Sequence, residues 1–250
     1  MKTGIEVRLK TVQIKVMTFN IHHGMGLDKR LDLDRISKLI QSSEADLIGL
    51  NEVDNRFSKR SLFSDQAAQL AKTLDMDYVF GSAIKVGQHG ASPRQYGNAL
   101  VSRFPIINTV NHPFDFLPGL IEDRALLEAN VDIGNRLIAI FVAHLSFAPL
   151  LHQKQTEFIL KKVQRNKNLS IVMGDWNMKP FSRSWRLVTR HLKDVDSFES
   201  KNDTYPSRRP SKKLDFIFTS EQIEVIEASV CLDDILASDH LPYMATLNIK

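Results

Sequence analysis

Residues 137–142, Leu-Ile-Ala-Ile-Phe-Val, are apolar at every position. A strand with one face in water alternates polar and apolar residues, so a continuous run of this kind needs cover on both faces. The chain must therefore fold in layers, with other elements packed on either side of that strand. Residues 12–19, 46–50 and 169–173 also read as strands. Shorter strand-like stretches occupy 78–80, 98–101, 106–110, 125–131, 214–218, 223–228 and 243–249. Helical spacing appears in Leu33, Ile36, Leu39 and Ile40, behind acidic residues suited to a helix start, and in Ala67, Leu70, Ala71 and Leu74. Residues 149–163 form a further helix with Pro149 in its first turn, where a missing N–H costs little. Residues 181–188 read as helical, and 194–211 as polar and turn-rich.

The central and C-terminal strands follow one another without intervening helices, which implies antiparallel pairing. The expected architecture is α+β: two mixed β-sheets packed face to face under outer helices, rather than one parallel sheet. With 250 residues, 43% of them hydrophobic, the chain is long enough for one large domain over 1–250. Its single cysteine, Cys231, excludes an internal disulfide and the cysteine patterns of structural zinc modules. The first residues alternate charged and apolar side chains without an apolar leader core, and no run approaches the ~18 apolar residues of a membrane span. The expected location is cytoplasmic. Charge is uneven: residues 151–213 carry 15 Lys and Arg against 6 Asp and Glu, within a chain of formal charge +4. Such a surface attracts phosphates.

The functional signal lies where polar residues interrupt the strands. Asn20 follows Val-Met-Thr-Phe, Glu52 follows Leu-Ile-Gly-Leu-Asn, and His144 ends the most apolar strand. Asp175 and Asn177 follow Ile-Val-Met-Gly, Asp215 sits inside Leu-Asp-Phe-Ile-Phe, and Asp239-His240 precede the last strand. A carboxylate or imidazole against a buried run needs a partner, because desolvating it alone costs several kcal/mol. Singly, each has a simpler explanation: an Asp after a strand is usually a turn residue or helix cap, Asn20 can cap a loop, and His144 can be a hydrogen-bonded core histidine. His22-His23 suggests a metal pair, but adjacent residues diverge in direction, which weighs against it. Gly24-Met25-Gly26 lacks the third glycine of a dinucleotide fingerprint.

As an ordered set, these residues resemble the endonuclease/exonuclease/phosphatase superfamily of metal-dependent phosphoesterases. The motifs are MTFNIHHG with Asn20, DLIGLNEVD with Glu52, YGNALVSRFPI with Asn98, EDRALLEANV with Arg124, AHLS with His144, GDWNMKP with Asp175 and Asn177, LDFIF with Asp215, and SDHLP with Asp239 and His240. The resemblance implies a four-layer αββα sandwich with its site between the two sheets. It implies Asn20, Glu52 and Asp239 around Mg²⁺ or Mn²⁺, hard ions that suit oxygen donors. It further implies Asp175 as the group that orients or deprotonates water, and Asn177 as a holder of that water or of a phosphate oxygen. His240 paired with Asp215 would stabilise phosphoryl oxygens, and His144 would bind phosphate or assist the leaving group. Asn98, Arg124, Arg208 and Arg209 are candidate phosphate contacts, the last two in a cationic loop with Lys212 and Lys213 expected at the site rim.

The glutamate motif departs from the QE-T-K form of AP endonucleases, which also carry Tyr where this chain has His144. The expected activity is metal-dependent hydrolysis of a phosphodiester or phosphomonoester. The alternatives are a non-specific nuclease acting on DNA or RNA and a catalytically inactive phosphate-binding protein. The expected partner is a phosphoester: nucleic acid, a phospholipid headgroup or an inositol phosphate.

Overall fold

The computed structural model describes residues 11–114, 124–198 and 201–250. Residues 1–10, and Glu122 and Asp123 of the EDR motif, lie outside the described residues.

Among the described residues, twelve strands form two six-stranded sheets. The first contains β1 (Val12–Asn20), β2 (Leu47–Asn55), β3 (Asp77–His89), β4 (Ser92–Ser102), β11 (Glu224–Val230) and β12 (Tyr243–Ile249), in the order β11-β12-β1-β2-β4-β3. The second contains β5 (Ile106–Pro113), β6 (Ala125–Asp132), β7 (Leu137–His144), β8 (Ser170–Asp175), β9 (Lys193–Asp194) and β10 (Asp215–Thr219), in the order β5-β6-β7-β8-β10-β9. Both sheets are mixed: β1–β2 and β7–β8 pair in parallel and the other ladders are antiparallel. Helices α1 (Leu33–Ser43) and α2 (Gln66–Leu74) belong to the first half of the chain, α3 (Pro149–Arg165) and α4 (Arg183–Val188) to the second.

Three apolar clusters correspond to the interfaces of this sandwich. Ile14, Val16, Leu100, Ile140, Val142, Met173 and Leu247 fill the space between the sheets. Ile36, Leu39 and Ile40 of α1 and Ala67 and Leu70 of α2 pack with Met17, Phe19, Ile48 and Leu50 on the outside of the first sheet. Ile159, Leu160 and Val163 of α3 and Val188 of α4 pack with Phe141, Val172, Phe216 and Phe218 outside the second. Strand β7 is thus covered on both faces, as its unbroken apolar run requires. Helix starts follow local chemistry: Asp32 accepts from the Arg35 N–H at 2.9 Å and Asp65 from that of Ala68 at 3.2 Å, while α3 begins at Pro149.

The structure departs from the sequence reading at a hairpin and at a helix start, among smaller shifts of element ends. The β3–β4 hairpin runs well past 78–80 and 98–101, because its outer half is an exposed two-stranded ribbon held by backbone pairing, with no apolar run to mark it. Helix α4 starts at Arg183 rather than 181, since the Ser182 side chain caps it and Phe181 is left-handed (φ 62°).

Strands β7 and β8 approach so closely at Gly174 that a Cβ there would run into the carbonyl of Ala143, and its φ is +145°. Both facts demand glycine immediately before Asp175. Gly174→Ala is expected to destabilise the protein by about 3 kcal/mol, measured as a lowered midpoint in urea unfolding.

Candidate active site

Strand register collects the polar residues at one end of the sandwich. On the second sheet His144 pairs with Asp175 across the parallel β7–β8 ladder, and Asp175 pairs with Asp215 across β8–β10, so three functional residues stand side by side. On the first sheet Asn20 pairs with Asn51 across β1–β2. Glu52 is turned toward the same mouth by a β-bulge. Leu50 pairs with Ala99 and Val53 with Gly97, which leaves Asn51 and Glu52 opposite Asn98 alone, and Glu52 takes a left-handed φ of 58°.

Together with the loop before β12, these elements line a cavity of about 490 Å³ bordered by Glu52, Arg124, His144, Asp175, Asn177 and Asp239-His240, with Phe147, Met178, Lys179, Tyr205, Lys212 and Leu214 around them. Asp175 is its centre. Oδ2 accepts from Asn20 Nδ2 at 3.1 Å and lies 3.5 Å from His144 Nε2 and 3.8 Å from His240 Nε2. Oδ1 accepts from the Asn177 backbone N–H at 3.0 Å, and the Asn177 side chain donates to the Leu145 carbonyl at 2.9 Å.

The two imidazoles differ in charge because their second nitrogens have opposite partners. His144 Nδ1 lies 3.1 Å from the Arg124 guanidinium, which can only donate, so Nδ1 accepts and Nε2 carries the proton. Burial, then the Arg124 charge, hold His144 well below the ordinary histidine range. His240 Nδ1 lies 2.8 Å from Asp215 Oδ2. Burial pulls its pKa down, but the charges of Asp215 and Asp175 and the Asp215 hydrogen bond prevail and lift it to about 10. Burial, reinforced by the Asp215 charge, raises Asp175 to about 7, opposed by His240 and the Asn20 bond. A carboxylate is thereby held between one neutral and one cationic imidazole.

Several candidate residues take positions different from those expected. Asn20 turns its amide nitrogen to Glu52 Oε1 (3.0 Å) and Asp175, while its oxygen accepts the His22 backbone N–H at 3.1 Å. It ties the two carboxylates together. Asn98 is 1% exposed and does not border the cavity. Its Nδ2 donates to the Ala125 carbonyl at 2.8 Å, and its Oδ1 accepts from Asn51 Nδ2 at 2.9 Å. Asn51 in turn donates to the Ala143 carbonyl and accepts the Asp175 N–H at 2.8 Å. This Asn51–Asn98 pair bridges the two sheets beneath the site; Asn51 is absent from the sequence candidates, and its place after an apolar run is the signal that marks it.

In the cationic loop, Arg208 and Arg209 are exposed but do not border the cavity, and Lys213 is only 4% exposed, 2.6 Å from Asp196 and 3.6 Å from the Tyr243 ring centroid. Lys212 is the residue of that loop that lines the site, joined by Lys179 of the GDWNMKP motif. The loop also braces the site, since Ser207 donates from its N–H to the Asp239 carbonyl and from its hydroxyl to the Ser238 carbonyl.

The His22 and His23 side chains do not diverge. Both residues are left-handed with φ 45°, and their ring centroids lie 4.4 Å apart. One ring nitrogen of each and a carboxylate oxygen of Glu52 lie within 4.8 Å of one another. Consecutive left-handed residues of this kind cost roughly 1–2 kcal/mol each. Burial, with the Arg60 charge next, lowers His23 to about 4.

A second group, Asp175, Asp215 and His240, also has three potential ligand atoms this close, but its spacing is that of the buried ion pair. Glu52 and Asp239 are the partly exposed carboxylates that border the cavity, and their oxygens suit a hard divalent ion.

Comparison with known proteins bears on the family and the fold. Residues 17–240 match the model of the Endonuclease/Exonuclease/phosphatase family. A comparison with curated proteins found no match. Among solved structures, an endonuclease/exonuclease/phosphatase from Beutenbergia cavernae is 24% identical with a TM-score of 0.77, covering 95% of this chain and 72% of its own. A mannosyl-6-phosphatase of Bacteroides thetaiotaomicron is 17% identical (TM-score 0.74; 94% of this chain, 99% of the other). D. rerio TDP2 complexed with a single-stranded DNA product is 15% identical (TM-score 0.71; 95% and 99%). With a match that spans most of its length and a fold shared with these structures, the chain belongs to the endonuclease/exonuclease/phosphatase family, whose members act on phosphoesters.

Proposed function

We propose that residues 1–250 act as one catalytic domain, a divalent-cation-dependent phosphoesterase that hydrolyses a phosphodiester by attack of water on phosphorus. The observation that carries this reading is the position of Asp175 between neutral His144 and protonated His240. Asp175 accepts a proton from the attacking water, and a base with pKa near neutrality is matched to that task. His240 donates through Nε2–H to a phosphoryl oxygen as negative charge grows there, with Asp215 holding the ring in place. His144 donates through Nε2–H to a phosphate or leaving-group oxygen, its tautomer held by Arg124. Asn177, pinned to Leu145 and Asp175, orients water or a phosphoryl oxygen. Glu52 and Asp239 would hold Mg²⁺ or Mn²⁺, positioned by Asn20, and that ion, when bound, neutralises phosphoryl charge.

A diester is favoured over a monoester by the cavity rim. Phe147, 74% exposed, and Tyr205, whose ring lies 4.9 Å from that of His240, offer apolar surface to a second ester group. A nuclease remains the competing substrate class, since these rings could also stack on bases. The fold alone does not choose, being shared by a sugar phosphatase and a DNA-bound protein. The free, half-buried Cys231 suits a reducing, cytoplasmic setting.

The test is hydrolysis of bis-p-nitrophenyl phosphate with Mg²⁺ or Mn²⁺ and with EDTA, followed by DNA, RNA, phospholipid and inositol phosphate substrates. Activity is expected with either ion and none with EDTA; full activity in EDTA overturns the cation dependence, and no hydrolysis of any substrate overturns the enzyme. Lys179→Gln with Lys212→Gln should raise KM, and on a long nucleic acid should flatten the log–log salt slope by about 0.7–0.9 per lost phosphate contact. An unchanged slope on DNA and RNA would argue against a nuclease that grips its substrate with these lysines.

A further inference from the structure

We propose that His22, His23 and Glu52 form a nitrogen-bearing cation site for a transition-metal ion of the Zn²⁺ or Co²⁺ class, beside the oxygen-donor site, with the Glu52 carboxylate common to both. The inference rests on the phosphoesterase reading only in placing that second site.

Three non-glycine residues with left-handed backbones converge here: His22 and His23 at φ 45° and Glu52 at φ 58°. Each would be more comfortable elsewhere on the Ramachandran map, and such conformations persist where the surroundings impose them, most often at functional positions. The surroundings are visible. Gln66, fully buried, donates through Nε2 to the His23 carbonyl at 2.7 Å and accepts through Oε1 from the Asp54 N–H at 2.9 Å, which fastens the histidine turn to β2 just past the bulge. Gly24 follows with φ +76°, and a Cβ there would press on Leu31, Leu33 and Gln66 at 3.0–3.1 Å. The turn therefore cannot relax into an ordinary right-handed path without disturbing α1, α2 and β2.

The ligand chemistry agrees with this backbone. His22 Nδ1 lies 3.2 Å from the Met25 carbonyl, an acceptor, which places the proton on Nδ1 and leaves the Nε2 lone pair free. Metal-binding histidines typically use their other ring nitrogen in this way, to fix tautomer and orientation. The ligand atoms lie within 4.8 Å of one another. Ligands about 2.0–2.1 Å from a tetrahedral ion stand about 3.4 Å apart, a contraction within reach of small imidazole and carboxylate rotations. All three residues are partly exposed, so an ion has access, and Glu52 borders the cavity. Two imidazole nitrogens and one carboxylate oxygen favour a borderline ion over Mg²⁺, which prefers oxygen donors in an octahedral shell.

The test is Co²⁺ titration of the metal-free protein, followed by visible absorption and by the paramagnetically shifted imidazole N–H resonances. His22→Asn/His23→Asn is the informative variant, because Asn tolerates the left-handed backbone better than most residues and cannot supply a ring nitrogen. Wild type should show Co²⁺-shifted imidazole N–H signals, and the variant should lose them together with at least ~100-fold of Co²⁺ affinity. Its Mg²⁺-supported hydrolysis measures the neighbouring oxygen site separately. Unaltered Co²⁺ binding in the variant, or a Co²⁺ complex of wild type without shifted imidazole signals, overturns the proposal. If the double variant fails to fold, the single variants His22→Asn and His23→Asn are read in the same way, each expected to lose one shifted imidazole signal. A protein that passes the Co²⁺ test but hydrolyses no substrate loses the phosphoesterase reading and keeps this site; one that hydrolyses with Mg²⁺ but fails the Co²⁺ test loses this site alone.

Discussion

Replacing Asp175 by Asn is expected to lower kcat by about 10²–10⁴-fold, the usual contribution of a positioned general base, with KM within about threefold because phosphate contacts come from other side chains. The substitution keeps shape and removes the acceptor. An amide oxygen can still take the Asn177 N–H, but the amide nitrogen then occupies the place of Oδ2, facing donors on Asn20, His144 and His240. Stability should respond differently from rate. The folded-state pKa of Asp175 is raised to about 7 by burial and by Asp215. From pH ~4 to ~7 the unfolded chain has then released a proton that the folded protein still holds, so this residue makes the fold less stable as pH rises. Asn carries no such dependence. Measured without added cation, the Tm of Asp175→Asn relative to wild type should therefore climb across that window while activity stays lost. A variant with near-normal kcat would remove Asp175 from the mechanism, and a Tm difference independent of pH would remove its raised pKa.

Much of the fold was legible because strand and helix periodicities are set locally. The unbroken apolar run at 137–142 required cover on both faces, and consecutive strands required antiparallel ladders. The site was legible for a related reason: polar residues that end buried strands must share partners, and register does bring His144, Asp175 and Asp215 into one row. What escaped depended on backbone conformation or on contacts across the sheets. His22-His23 diverge in a right-handed or extended chain and meet only because both are left-handed. Asn98 reads as a phosphate contact in the sequence, yet the β2 bulge sets it opposite Asn51, with which it bonds between strands, and its position under β6 ties it to Ala125. Lys213 sits among solvent-facing cations in the sequence, but in the fold it lies two residues before β10, buried against Asp196 and the Tyr243 ring.

The buried pair of His240 and Asp215 gives the other large expected effect, visible in stability as well as rate. His240→Gln should abolish most activity and should also leave Asp215 and Asp175, both buried, without the cation between them. Removing one partner of a buried pair typically costs about 3–5 kcal/mol, because the remaining charge is uncompensated. Asp215→Asn removes one of those charges, so the double variant Asp215→Asn/His240→Gln should be more stable than His240→Gln alone. Its activity should be no lower than that of the weaker single variant, since both substitutions disable one interaction. The pH dependence has a definite sign. His240 is raised in the fold to about 10 from an ordinary value of 6.5, so its stabilising effect is complete below about pH 6.5 and fades as pH rises toward 10. The deficit of His240→Gln relative to wild type should be largest in acid and shrink toward pH 10. Urea unfolding of the four proteins without added cation, at several pH values, reads all of this at once. Additive stability losses, or a double variant less stable than His240→Gln, would mean that the imidazole and the two carboxylates do not act as one charged unit.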